Sequence, residues 1–198
     1  IGVVNIDSKE IQTIYKLNNH TAFGPGTGVV SFHPLKNEVD FIHGLNNASE
    51  GIPYGFTRRC AMQVDLESGN HAEAMEARDV QFPYTSGALR GGSHAYSYSS
   101  DGQFVSFTYN DEILEQESKE NPDVTDLRTV GAFLLGKNVA IAGEQDDENF
   151  DGNSFAILLA KVTAMPQPGS DKISKAYEEC WVGNDGYAKP DGTRQKRA

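Results

Sequence analysis

The sequence has little cysteine, a deficit of positive charge and no long apolar run. Its two cysteines, Cys60 and Cys180, stand 120 positions apart and outside any CxxC or Cys/His spacing. A disulfide framework and a zinc site are therefore unsupported, and both thiols are read as small buried apolar groups. Seventeen Lys and Arg face 28 Asp and Glu, a net charge of −11 with a pI near 4.8. A field of that sign repels phosphates and anionic lipid surfaces. The basic clusters are Arg58-Arg59 and Arg194–Arg197, the second diluted by Gln195. Nucleic acid is excluded as a partner on this ground. The longest apolar run, Phe155–Ala160, is six residues, far short of the ~18–20 needed to span a bilayer, so no membrane span is expected. HExxH, His-x-His, Gly-x-Ser-x-Gly, Walker and dinucleotide glycine patterns are all missing. Gly24, Gly26 and Gly28 straddle Pro25 and precede a strand rather than a helix, so they do not cradle phosphate.

What the sequence does contain is a composition fit for a folded domain. Hydrophobic residues make up 38% of 198, and the mean hydropathy is −0.49. That length matches one domain. The informative signal is an internal repeat. Ser31–Ile42 aligns without a gap on Ser97–Thr108, matching Phe32 to Tyr98, Val39 to Val105 and Phe41 to Phe107. Each copy alternates apolar and polar residues, crosses a polar turn and alternates again. This is a β-hairpin pattern, with Asp101-Gly102 supplying the positive φ of the turn.

Further Asp-Gly pairs at Asp151-Gly152 and Asp191-Gly192 extend the series. Hairpin turns are predicted at these two sites, at Asp101-Gly102 and at Lys36-Asn37. A second hairpin type recurs at Val3–Tyr15, Ala61–Gly69 and Arg128–Ile141. Two hairpins per repeat give four antiparallel strands, the content of one propeller blade. The predicted fold is all-β, a partial β-propeller with one short inserted helix. That helix is placed at Asp171–Cys180, capped by Ser170, with Ile173, Ala176, Tyr177 and Cys180 on one face. The acidic stretch Asp111–Asp126 reads as a solvated loop or short surface helix.

The string His94–Phe107 resembles the repeat of TolB-like β-propellers, an aromatic followed by Ser-Pro-Asp-Gly and a short strand. Ser100 replaces the usual proline, whereas the earlier copy keeps Pro34. Phe41–Leu45, Pro53-Tyr54-Gly55, Arg58-Arg59, Pro168–Asp171 and Trp181-Val182-Gly183 together resemble the YidR-type family, described as Tol biopolymer transporter-like. The resemblance implies a propeller about twice this length, a periplasmic or otherwise extracytoplasmic location and no established activity. On this basis the chain reads as an internal piece of about three and a half blades. The expected divisions are an outer hairpin at 1–17, blades at 27–80, 94–142 and 144–182 (the last with the helix), and the start of another at 184–198.

Candidate site residues follow from the repeat. Inner strands of a propeller line its channel, and Gly28, His94, Glu144 and Asn184 stand seven positions before successive turns. They are expected near one axis, with Arg90 and Gly91-Gly92 in the loop entering that mouth. The resulting expectation is a binding scaffold for a protein, peptide or acidic glycan, with His94, Arg90, Glu144, Arg58 and Arg59 at its ligand site and no catalytic set. The alternative is a carbohydrate-active propeller similar to oligogalacturonate lyases, in which Arg58, Arg59 and Arg90 pair uronate carboxylates. No cofactor or metal is expected. Asp147–Gly152 matches the start of a calcium loop, but its twelfth position is Leu158 rather than Glu, and it is read as a turn. The five histidines, His20, His33, His43, His71 and His94, are read as structural.

Overall fold

A computed structural model describes residues 1–69, 71–182 and 187–195. It is mostly β-structure, built around two four-stranded antiparallel sheets. The first joins β3 (Thr27–Phe32), β4 (Glu38–Gly44), β5 (Arg59–Asp65) and β6 (Ala72–Ala74) as a meander. The second repeats it with β7 (Gly91–Tyr98), β8 (Phe104–Asp111), β9 (Thr129–Val139) and β10 (Gly152–Leu158). Two small hairpins flank them, β1 (Gly2–Val4) with β2 (Ile11–Thr13), and β11 (Tyr187–Ala188) with β12 (Arg194–Gln195). Among the described residues no helix is long and apolar enough to cross a membrane.

The sequence repeat is a repeat of backbone geometry. Val39 pairs with Val64, and its counterpart Val105 pairs with Phe133; Phe41 pairs with Met62, and Phe107 with Gly131. Both first strands carry a register shift at the same place, between Gly28 and Val30 and between His94 and Ser97. Each bulge holds one left-handed residue, Val29 at φ 40° and, next to Tyr96 in the second, Ala95 at φ 59°. Side chains rarely adopt that region, so its recurrence at matched positions marks one local design used twice.

Three of the four expected turns are formed. The β7–β8 turn closes with Gly102 N–H donating to Ser99 O at 2.8 Å, and Gly102 takes φ 64°. Gly192 repeats this at the β11–β12 turn, donating to Lys189 O at 2.9 Å with φ 81°. At the β3–β4 turn the His33 ring stands in for the aspartate, its Nδ1 accepting from the N–H groups of Leu35 and Lys36, each at 3.1 Å.

Asp151-Gly152 is the exception. It lies at the end of the β9–β10 connection, where Asp151 Oδ1 accepts from Ile141 N at 2.9 Å. Gly152 opens β10, and a Cβ there would stand 2.1 Å from Ala77 N. This glycine serves close backbone approach rather than a positive φ. Gly152–Leu158 therefore completes the second sheet, and the expected blade at 144–182 does not form among the described residues. Asn184, Gly183, Arg197 and Ala198 lie outside them.

The inserted helix is displaced from its expected position. Residues 171–180 form no helix; Ile173 bridges Val162, Ala176 N–H donates to Arg128 O, and Trp181 Nε1 donates to Ser97 O at 2.7 Å. This segment lies across β7 and β8, and those contacts override its local periodicity. The helix is α1, Glu112–Glu120, inside the acidic stretch. Asp111 caps it by accepting from Leu114 N at 3.0 Å. Glu112 and Glu115 in its first turn and Lys119 in its last suit the helix dipole.

The main core lies between the sheets. Ile42, Ala61 and Met75 meet Tyr96, Val105, Phe107, Tyr109 and Phe133, with Phe107 stacked on Phe133 at 4.2 Å between centroids. A second cluster, Val39, Phe41 and Val64, is covered by Tyr15 and Ile1. β4 and β5 are thus covered on both faces. β5 and β3 pack against β7, which brings the start of β5 beside the bulge of β7.

Candidate ligand-binding face

His94 sits on the bulge of β7, half-buried, opposite Thr108 of β8. Its Nδ1 is buried and has no hydrogen-bond partner. Burial, then the charges of Arg59 and Arg128, push its pKa down to about 4, against a hydrogen bond to the Thr108 backbone that favours the proton. The ring is neutral at pH 7.

The two arginines occupy equivalent places. Arg59 opens β5 opposite Gly44; Arg128 immediately precedes β9, directly after the register pair of Tyr109 with Thr129. Arg128 Nε donates to Asn110 Oδ1 at 3.2 Å, Asn110 Nδ2 donates to Asp126 Oδ2 at 2.7 Å, and Asp126 Oδ1 accepts from Asp111 N. Arg59 has no such acceptor among the described residues, and its Nε is buried without a partner. Beside Arg59 lies Glu76, fully buried, which accepts from Ala61 N and from the Ser93 hydroxyl. Burial raises its pKa to about 8, partly opposed by these bonds and by Arg78 and Arg59.

Next to Arg128 opens a cleft of about 350 Å³. Phe56, Asn110, Glu115, Asp126, Lys175 and Tyr177 complete its wall.

The structure brings His94 and Arg59 together and gives the other expected site residues separate places. Arg58 is tied to Glu148 at 2.6 Å and to Asn47 at 2.8 Å. Glu148 also meets the fully buried Arg78 at 3.3 Å, so it clamps two loops. Arg90 donates twice to Asp111 Oδ2, at 3.0 and 2.7 Å, and lies over the Tyr84 ring. Glu144 is exposed on the β9–β10 connection. Gly28 is in β3 with no atom within 4 Å of where its Cβ would be. Arg128 is the residue that sequence reasoning missed. Aligning the third strands of the two repeats, Arg59-Cys60-Ala61 on Arg128-Thr129-Val130, would have found it.

The remaining candidates are committed elsewhere. In the loop that begins like a calcium site, Asn149 Oδ1 accepts from Val80 N and Asp151 Oδ1 from Ile141 N, each at 2.9 Å, so these oxygens serve the fold. His43 Nδ1–H donates to Gly44 O at 2.6 Å, which leaves Nε2 to accept from the Tyr15 hydroxyl at 2.7 Å. Cys60 is buried as expected, but Cys180 is exposed on the segment that lies across β7 and β8. Among the described residues, no three His, Cys, Asp or Glu side chains converge as a metal site requires.

Residues 26–148, which carry both arginines and His94, match the family described as "Protein of unknown function (DUF3748)". The chain belongs to the DUF3748 family. It is also 39% identical over 185 residues to the "Uncharacterized protein YidR" of Escherichia coli strain K12, covering 93% of this chain and 42% of that relative. The chain thus spans about two fifths of the relative's length. No solved structure gives a significant match. The DUF3748 match runs from just before β3 into the β9–β10 connection, so it takes in the first sheet and β7–β9 of the second.

Proposed function

We propose that this DUF3748 chain is a section of a TolB-like β-propeller that serves as a binding scaffold for a ligand or protein partner. The observation that carries this reading is the repeated four-stranded meander with a left-handed bulge at matched positions, Val29 and Ala95. Sheets that repeat in this way and pack through their first strands are the building principle of propellers. In this reading Thr27–Ala74 and Gly91–Leu158 are blades, β1–β2 is the outer part of a preceding blade, and the Asp191-Gly192 hairpin begins the next. The ligand face centres on His94 and Arg59. Arg58 and Arg90 hold its loops, and Glu144 stands on a neighbouring connection.

The second reading, a carbohydrate-active enzyme acting on acidic oligosaccharides, draws on the unpaired Arg59 beside a neutral His94. Immobilised peptides together with acidic and neutral oligosaccharides separate the two. A scaffold retains a subset of them unchanged. Release of unsaturated uronates from pectic oligomers, dependent on added metal, contradicts the scaffold and supports the enzyme. Retention of nothing on such a panel contradicts both.

A further inference from the structure

We propose that Arg59, Arg128 and His94 form a site for the carboxylate of a small ligand that carries a hydroxyl or amide N–H next to that carboxylate. The inference deepens the binding-scaffold reading and rests on it. A guanidinium is always charged and presents its donors in a planar fork that matches a carboxylate. Arg59 is half-buried, yet among the described residues nothing accepts its hydrogen bonds. Leaving a buried donor unsatisfied is costly, and natural proteins satisfy nearly all of theirs. Its buried neighbour Glu76 has a pKa raised to about 8 and already accepts from Ser93 and Ala61. That acid is mostly protonated at pH 7 and does not neutralise Arg59.

Among the described residues Arg128 commits only its Nε, to Asn110, and it lines the adjoining cleft. β5 packs against β7, which brings Arg59 toward the bulge that carries His94, and Arg128 stands two residues before Val130, the partner of the Thr108 that faces His94. Both charges act on the ring, and His94 offers an uncharged acceptor. Its Nδ1 is buried with no partner among the described residues, an open position for a ligand's donor. Two cationic forks and one neutral acceptor fit a carboxylate flanked by a donor. A bare polyanion would use the arginines and leave Nδ1 unsatisfied. The net charge of −11 opposes an anion at long range, so the affinity comes from contact.

Calorimetric titration of the chain at pH 7 tests this with two probe pairs. Glucuronate against glucose represents an acidic sugar, and N-acetylalanine against N-acetylalanine amide represents an amino-acid carboxylate. The expected result is heat of binding from at least one carboxylate and none from its neutral counterpart. Arg59→Gln and Arg128→Gln should each weaken it about tenfold or more, as loss of a charge-assisted bond does. Arg59→Lys keeps the charge without the fork and should recover only part of the affinity. Unchanged melting curves for the Arg59 variants show that folding is intact. Equal binding of acid and neutral probe, absence of carboxylate binding, or full affinity in Arg59→Gln overturns the site. A panel ligand that still binds Arg59→Gln leaves the scaffold reading standing while this site fails.

Discussion

Asp40 sits in β4 between the two sheets, fully buried, with neither carboxylate oxygen hydrogen-bonded. The Tyr98 hydroxyl nearby is also buried and unpartnered. Burial drives the Asp40 pKa up to about 8, and the N–H groups of Asp40 and Ser31 ease this without reaching bonding geometry. The folded acid therefore holds a proton that the unfolded one releases near pH 4. Its stabilisation is complete below that pH and is lost as pH rises toward 8, at up to about 1.4 kcal/mol per pH unit. Glu76 acts in the same direction. Asp40→Asn should flatten the slope and raise stability most at the alkaline end, as read from urea midpoints between pH 5 and 9. An unchanged pH profile would show that Asp40 ionises freely. His94 works with the opposite sign. Its pKa is lowered to about 4, so its contribution is complete above about 6.5 and is lost as pH falls toward 4. His94→Gln should remove that acid-side loss in the same measurement. None of these environments is visible in sequence, because each depends on which strand faces which.

At the scale of elements, the hairpins were legible, and the acidic stretch that reads as a loop or short surface helix holds α1, whereas the helix placed at 171–180 does not form. Alternation with aromatic matches is a local pattern, and it located β3–β4 and β7–β8 correctly. The helix depends on a cap and on charges at its ends, Asp111, Glu112, Glu115 and Lys119, and the loop-or-helix choice in the acidic run turns on them. Residues 171–180 carried a helical periodicity, yet Trp181 and Glu179 anchor that region to Ser97 and Thr108. Asp151-Gly152 misled for a related reason, since one dipeptide serves two backbone needs. Asp111 joins several of these elements. It caps α1, pairs with Arg90 and accepts from the Tyr109 hydroxyl at 3.1 Å. Asp111→Ala should therefore cost more than a simple cap, about 2–3 kcal/mol, and lower the thermal midpoint. A loss within about 0.5 kcal/mol would show that the cluster is ornamental. Phe107→Ala opens the inter-sheet core and should cost about 3–5 kcal/mol, measured by denaturant unfolding. A smaller loss would mean that the sheets pack loosely.

For the whole molecule, apolar exposure is uneven. Val29, Val30 and Phe32 of β3 are 56%, 42% and 61% exposed, whereas the matched Tyr98 is half-buried against the His33 ring. The first sheet covers β7, and nothing among the described residues covers β3 in the same way. In the propeller reading this face belongs against another blade. The chain alone should self-associate with rising concentration in sedimentation experiments, and Phe32→Ser should reduce that association. A monodisperse monomer at high concentration would contradict this expectation. As for the candidate site, the sequence supplied His94 through its position in the repeat and Arg59 as half of the basic pair Arg58-Arg59. Their companion Arg128 follows only once the third strands of the two repeats are aligned, an equivalence that the register makes explicit.

In the proposed propeller the two sheets are successive units around one axis. An experimentally determined structure of the chain tests it most directly, through the operation relating the sheets. A single rotation should superpose β3–β6 on β7–β10 and carry Arg59 onto Arg128. Applied again, it should carry the β7–β8 turn onto the Asp191-Gly192 hairpin. Two sheets stacked face to face with no such shared axis would contradict it.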